Sequence, residues 1–257
     1  MNKSVLKLKL VVTCSVIVFL TSCTTKKDIL YFQNAKNFET MVDTDTFKAK
    51  LKIGDVLNIN ISTIDLNVTK PYNLMESSGG LNGGQLIDYV IDPDGNIDYP
   101  VLGKVKLIGL TVEEAKQLFK KKFEEGDLLR DPVVIIRIKN YKISVLGEVG
   151  SPGIYPVSGE RISILEAIAS AGDLNINGRR DNIMVIRDFN GTKTFTNVDI
   201  TNKEVFNSPV YYLTQNDIVY VQPNTAGISR ASGDSRIGLF SGLASLAVAV
   251  ALLVIRL

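Results

Sequence analysis

From Lys50 to Val221 the sequence is a succession of short alternating or β-branched runs, each closed by turn residues, with only two segments of helical period among them. Several strands interleaved with just two helices predict an α+β fold of two small α+β domains. Both helices announce their starts. Thr111 with Glu114, and Ser163 with Glu166, have the Ser/Thr-x-x-Glu spacing of a capping box, in which each residue's side chain satisfies the other's free backbone N–H. The first helix is expected over Thr111–Glu125, with Ala115, Leu118, Phe119 and Phe123 as its apolar face, Lys116 and Lys120 to Lys122 on its solvated side, and Gly126 as its stop. The second is expected over Ser163–Ala171, with Ile164, Leu165 and Ile168 inside and Gly172 as its stop.

The strands are expected at Lys50–Ile64, where Leu51, Ile53, Val56 (shifted by the turn), Leu57, Ile59 and Ile61 alternate around a turn at Gly54-Asp55, and at Leu86–Ile91 and Asn96–Val101. The last two flank Asp92-Pro93-Asp94-Gly95, and the Asp-Gly pair predicts a tight hairpin of type I′. Further strands are expected at Pro132–Ile138, Tyr141–Leu146, Ile154–Val157, Asn182–Asp188, Thr192–Val198 (a hairpin through Asn190-Gly191), Val210–Leu213 and Asp217–Val221. Asn67–Gln85, with Gly79-Gly80-Leu81-Asn82-Gly83-Gly84, reads as a mobile loop. No Lys-Ser/Thr follows these glycines at phosphate-loop spacing. The part from Ser77 to Gln85 is the candidate for a functional loop.

The two ends have a different character. Lys3, Lys7 and Lys9 precede an apolar run, Leu10–Leu20, of about eleven residues, which is the length of a secretory h-region and too short for a typical span. Leu20-Thr21-Ser22-Cys23 then resembles the lipobox of bacterial lipoproteins. Residues 1–22 are therefore expected to be a signal peptide and Cys23 to carry the lipid. Residues 23–47 are expected to be a polar tether with scattered aromatics (Tyr31, Phe32, Phe38). Thr24 stands after Cys23 where an Asp retention signal would stand, which leans towards the outer membrane. At the other end a linker, 224–236, precedes the uncharged stretch Ile237–Ile255. At about 1.5 Å per residue that stretch is long enough for a membrane helix, so residues 237–257 are expected to form a C-terminal transmembrane helix. Gly238, Ser241, Gly242, Ser245 and Ala249 fall on one stripe suited to close helix–helix approach.

Charge and composition narrow the function. The formal charge is +2; loss of the leader, with its three lysines and no acid, makes it −1. Such a balance offers no electrostatic footprint for nucleic acid. The chain has no His and two Cys, Cys14 in the leader and Cys23. No metal site and no cofactor are expected. Asp88, Asp92, Asp94 and Asp98 do not form an EF-hand, since Gly95 falls too early and the twelfth position from Asp92 is Gly103 rather than Glu. There is no Gly-x-Ser-x-Gly elbow and no nucleotide loop, and the adjacent pairs Glu113-Glu114 and Glu124-Glu125 splay about 100° apart on a helix. The chain is not expected to be an enzyme.

The motifs in order carry a resemblance. Leu51-x-Ile53-Gly54-Asp55-Val56-Leu57, then Asp94-Gly95 followed by Pro100 and Gly103, then Gly109-Leu110-Thr111 and Asp131-Pro132-Val133-Val134, resemble the polysaccharide export domain, here 48–140. Gly147-Glu148-Val149 with Pro152-Gly153, Ala171-Gly172 and Asn216-Asp217-x-Val219-x-Val221 resemble the soluble-ligand-binding β-grasp (SLBB) repeat, here 141–223. The chain thus resembles the outer-membrane polysaccharide export lipoproteins, although it has room for one β-grasp repeat where their classical members have two. The resemblance implies a homo-oligomeric ring, classically an octamer, that passes capsular polysaccharide or exopolysaccharide from the periplasm to the cell surface. It also implies an inner-membrane polysaccharide copolymerase of tyrosine-kinase type as partner. The competing reading is a glycan-binding or scaffold envelope lipoprotein that forms no pore, and oligomeric state discriminates the two.

Overall fold

A computed structural model of the chain describes residues 29–36, 48–76, 84–189 and 191–231, together with Gly242. The first half contains β1 (Val56–Ser62), β2 (Met75–Glu76), β3 (Gln85–Leu86), β4 (Asp88–Val90), β5 (Asn96–Tyr99), β6 (Gly103–Lys106), α1 (Val112–Glu125) and β7 (Val133–Ile138). Strand β1 lies between β4 and β7, antiparallel to both. Its alternation places Leu57, Ile59 and Ile61 inside. Helix α1 forms where expected because Thr111 and Glu114 close both halves of the capping box. Its buried residues are Ala115, Phe119 and Phe123. Burial of each phenylalanine contributes roughly 1.5–3 kcal/mol. The Tyr99 ring meets Phe119 at 4.9 Å edge-on, and its hydroxyl donates to the Tyr72 carbonyl, which ties the segment after β1 to this core.

The second half contains β8 (Lys142–Gly147), β9 (Gly153–Pro156), β10 (Ile162–Ser163), α2 (Ile164–Ser170), β11 (Gly178–Phe189), β12 (Thr192–Val198), β13 (Tyr212–Leu213), β14 (Ile218–Pro223) and α3 (Thr225–Ala231). Five strands form one sheet in the order β12-β11-β14-β8-β9. The central β14–β8 pair is parallel and the other pairs are antiparallel. Helix α2, capped by Ser163 and Glu166, shares the buried core of Ile143, Val145, Ile183, Val185, Val219 and Val221.

Several expectations need correction. The fold is α+β, but a transmembrane helix at 237–257 is not supported. Among the described residues no helix is long and apolar enough to cross a membrane. Of the stretch 237–257, only Gly242 is described, and nothing lies within 4 Å of a Cβ added there; Gly238, Ser241, Ser245 and Ala249 lie outside the described residues, as do Cys23 and the leader. The helix that follows the second sheet is α3, inside the expected linker, because Asn224 receives the Gly227 N–H on its Oδ1 and the Ile228 N–H on its carbonyl. The Asp-Gly hairpin also differs. The chain turns at Asp92–Gly95, but only Gly95 of that turn has positive φ (+83°), with its N–H bonded to the Asp92 carbonyl. This is a type I turn with Pro93 second and the glycine last, and its flanks part: β4 joins β1 and β5 pairs with β6. The loop Asn67–Gln85 is pinned at its ends by the β2–β3 pair, while residues 77–83 lie outside the described set. Residues 29–36, expected in a tether that leads to the first domain, instead dock on the second: the Phe32 and Gln33 N–H groups donate to the carbonyls of Ile200 and Thr201.

Candidate functional site

The motif residues fall into local groups that shape backbone. Gly54 takes φ +83°, and Asp55, 2% exposed, closes that turn by accepting the Lys52 N–H at 2.8 Å. Burial raises the Asp55 carboxyl above its ordinary range, and the Lys52 amide and charge oppose this. Gly95 and Gly103 bracket β5, both at positive φ; Asp94 is exposed and Pro100 is half-buried beside them. In the second domain Gly147 has φ +90°, and a Cβ there would overlap the Val221 carbonyl. The Glu148 N–H bonds that same carbonyl at 3.0 Å. The bend through Pro152 and Gly153 leads into β9, and the Ser151 N–H bonds the Ala171 carbonyl. Gly172, at φ +78°, lies against Gly150 with 3.5 Å between its would-be Cβ and the Gly150 Cα. The structure therefore brings Gly147–Gly153 together with Ala171-Gly172 and keeps Gly54-Asp55 and Asp94–Gly103 in the other half.

The element with most side-chain chemistry is the junction between the two domains, and sequence reading found only one of its members, Asp217. Asp217 is fully buried. It accepts Arg187 Nε at 3.0 Å and a second guanidinium nitrogen at 2.7 Å. It also accepts the Thr214 N–H and hydroxyl at 2.7 and 2.8 Å. Lys52, from the first domain, reaches across: its Nζ donates to Thr214 Oγ1 at 2.9 Å and to the Gln215 carbonyl at 3.1 Å. Burial lowers the Lys52 pKa, while the charge of Asp217 works in the opposite direction. Beside it Asn140 binds both halves. Its side chain accepts the Val56 N–H and donates to the Gly54 carbonyl, and its carbonyl accepts Gln215 Nε2 at 2.6 Å. Gln215 Oε1 in turn accepts the Lys142 N–H.

Alternation misled at Lys52. The expected strand put Ile53 inside with Leu51, yet Ile53 is 45% exposed and Lys52 only 9%. The strand begins after the turn, and the burial of Lys52 is supplied by the second domain, which no local pattern encodes. The Asn140-Tyr141 step between two strand signals was the available hint for Asn140.

Chemically, this junction can clamp but offers little to a substrate, since its charges are spent on one another. Among the described residues no group of three or more His, Cys, Asp or Glu is placed to hold a metal ion.

Comparison with known families matches this architecture. The polysaccharide biosynthesis/export protein family profile covers residues 44–139, and the SLBB domain profile covers residues 141–221. No curated protein matches the chain. Both families are export or binding proteins of the cell envelope rather than enzymes. With the two domains adjacent and in this order, the chain belongs to the polysaccharide export protein family.

Proposed function

We propose that the chain is a lipid-anchored subunit of a ring-shaped outer-membrane translocon that passes capsular polysaccharide or exopolysaccharide from the periplasm to the cell surface, as a passive conduit. An inner-membrane copolymerase of tyrosine-kinase type would deliver the polymer. The observation that carries this reading is the junction: Lys52 and Asn140 of the export domain are joined to Thr214 and Gln215 of the SLBB domain through buried and half-buried hydrogen bonds. A wall around a polymer path needs its two tiers to hold a fixed relation.

A second feature supports association of copies. The face of the five-stranded sheet opposite its core carries Ile154, Ser144, Ile218, Ile186 and Phe195 in one row across the strands, by the pairing register. Ile154 and Phe195 are 66% and 65% exposed. Apolar rows of this kind favour burial against a partner.

The test is surface polysaccharide on a deletion strain complemented with the wild-type chain or with Cys23→Ala, together with the mass of the purified assembly. Loss of surface polymer, rescue by wild type alone and a closed ring are expected. Unchanged export with a monomeric protein would favour the glycan-binding or scaffold reading. Cleavage of the cell's own polymer by the purified chain would overturn the non-catalytic assignment.

A further inference from the structure

Arg180, near the start of β11, is only 6% exposed, and among the described residues no carboxylate pairs with it. The acids nearest in sequence are engaged elsewhere: Asp181 pairs with Arg179, and Asp173 takes the Tyr31 hydroxyl and the Leu174 N–H on one oxygen. The Arg180 Nη1 donates to the carbonyls of Gly178 and Asn175 at 2.9 and 3.4 Å. Its Nε is buried and has no hydrogen-bond partner. A guanidinium keeps its proton, so it cannot escape burial by neutralising. An unpaired buried charge with an orphan donor is costly, and such a group calls for a reason.

The group over Arg180 is the half-buried ring of Tyr31, its centroid 5.7 Å from the guanidinium carbon and its hydroxyl on Asp173 Oδ1 at 2.5 Å. Tyr31 thus fills a slot with a carboxylate acceptor at one end and a cation alongside. It brings a six-membered ring and an O–H for Asp173, but only a weak ring–cation contact near the outer limit of that interaction for Arg180. With Nη1 held by carbonyls, Nε and Nη2 form the edge of the guanidinium that a carboxylate takes with two parallel, charge-assisted bonds. A hexuronic acid has a ring of the same size as the phenol, hydroxyls that donate to Asp173, and a carboxylate for that edge. A neutral hexose lacks the carboxylate, and an inorganic anion lacks the ring and its hydroxyls.

We propose that the slot under Tyr31 is a binding site for a sugar acid, whose carboxylate takes the Nε–Nη2 edge of Arg180 while a ring hydroxyl donates to Asp173, and that Tyr31 is the displaceable cover of this site. The choice of a sugar acid among carboxylates rests on the polysaccharide reading given above. The demand for a carboxylate rests on Arg180 alone.

The experiment is calorimetric titration of the full chain, in detergent at neutral pH and matched ionic strength, with sodium glucuronate, glucose and sodium phosphate. Saturable binding of glucuronate is expected, with glucose and phosphate weaker by about tenfold or more, the worth of a charge-assisted bond. Arg180→Lys, which keeps the charge and loses the two-pronged edge, should weaken glucuronate by a similar factor. Tyr31→Ala removes the cover and should tighten glucuronate severalfold; it decides the matter by itself if Arg180→Lys does not fold. No binding of glucuronate, equal binding of glucose or phosphate, or an affinity unmoved by Tyr31→Ala overturns the proposal. If that happens in a chain that forms a ring and is required for surface polymer, the translocon reading stands. Glucuronate binding by a chain whose deletion leaves surface polymer unchanged supports the site and refutes the translocon reading instead.

Discussion

Asp217→Ala should be the most damaging single change at the junction. The carboxylate is fully buried and satisfies Arg187 and Thr214 at once. Its loss leaves a guanidinium that is 17% exposed without its counter-charge, and removal of one partner of a buried pair costs about 3–5 kcal/mol. Against a typical stability of about 5–15 kcal/mol, this is a large fraction. With a urea slope of about 2 kcal/mol/M, the midpoint should fall by about 1.5–2.5 M. Tyrosine fluorescence can follow unfolding, because the chain has nine Tyr and no Trp. The paired replacement Arg187→Met/Asp217→Leu removes both charges and should recover a good part of the loss. The deficit should also depend on pH. Burial lowers the Lys52 pKa and Asp217 supports it, so without Asp217 the ammonium is held less well. A lysine whose folded pKa lies below its unfolded value destabilises the protein while it is charged, and the penalty fades as pH rises from that folded pKa towards about 10.4. The single variant should therefore lie closer to wild type as pH rises towards about 10.4 than at neutral pH. A midpoint shift under about 0.5 M, where the slope above implies about 1 kcal/mol, or a double variant as weak as the single, would refute the argument that an uncompensated buried charge is what is lost.

Lys52→Met should leave each domain folded but uncouple them, seen as two urea transitions, or as faster proteolysis near 139–141, where the wild type shows one cooperative loss. Gly147→Ala should cost more than Gly103→Ala, although both positions have positive φ. At Gly103 nothing lies within 4 Å of an added Cβ, so only the left-handed penalty of about 1–2 kcal/mol applies; at Gly147 the methyl also meets the Val221 carbonyl and should part β8 from β14, which amide exchange of Glu148 would report. Ser163→Ala should lower stability by about 0.5–2 kcal/mol through the lost cap of α2, measured by urea denaturation. Burial and the bond to Asp173 push Tyr31 up to about 12. A phenol whose folded pKa is raised stabilises fully below its unfolded value near about 10 and loses that contribution as pH climbs through the folded one. The docked segment around Tyr31 should therefore release between about pH 10 and 12, and Tyr31→Phe should remove one late step from the tyrosinate absorbance titration.

The junction fixes one domain on the other, and residues 32–33 dock on the second. These contacts are largely hydrogen bonds that hold backbone, which agrees with family motifs composed mostly of glycines and turn-closing acids.

What the sequence determined by itself was local. The capping boxes at Thr111/Glu114 and Ser163/Glu166 act within one helical turn, so their residues are legible in a four-residue window. The positive φ of Gly54, Gly95, Gly147 and Gly172 follows from turns that close over three or four residues. The buried positions of β1 and the Ala115, Phe119 and Phe123 face of α1 follow from period alone. What only the tertiary structure decided was pairing at a distance. Whether β4 joins β5 or β1 depends on competing partners across some thirty residues, and an Asp-Gly turn is compatible with both. Lys52 reads as a solvated lysine until Thr214 and Gln215 cover it, and Arg187 reads as a polar position in an exposed hairpin until Asp217 arrives from β14's approach. Tyr31 and Phe32 read as scattered aromatics because the surface that receives them, 140 to 175 residues further on, exists only after the second domain has folded. Side-chain period and capping are set by the geometry of a single strand or helix, whereas burial of a charge needs its partners in place: those of Lys52 come from the other domain, and Arg187 meets Asp217 only once the second sheet has formed.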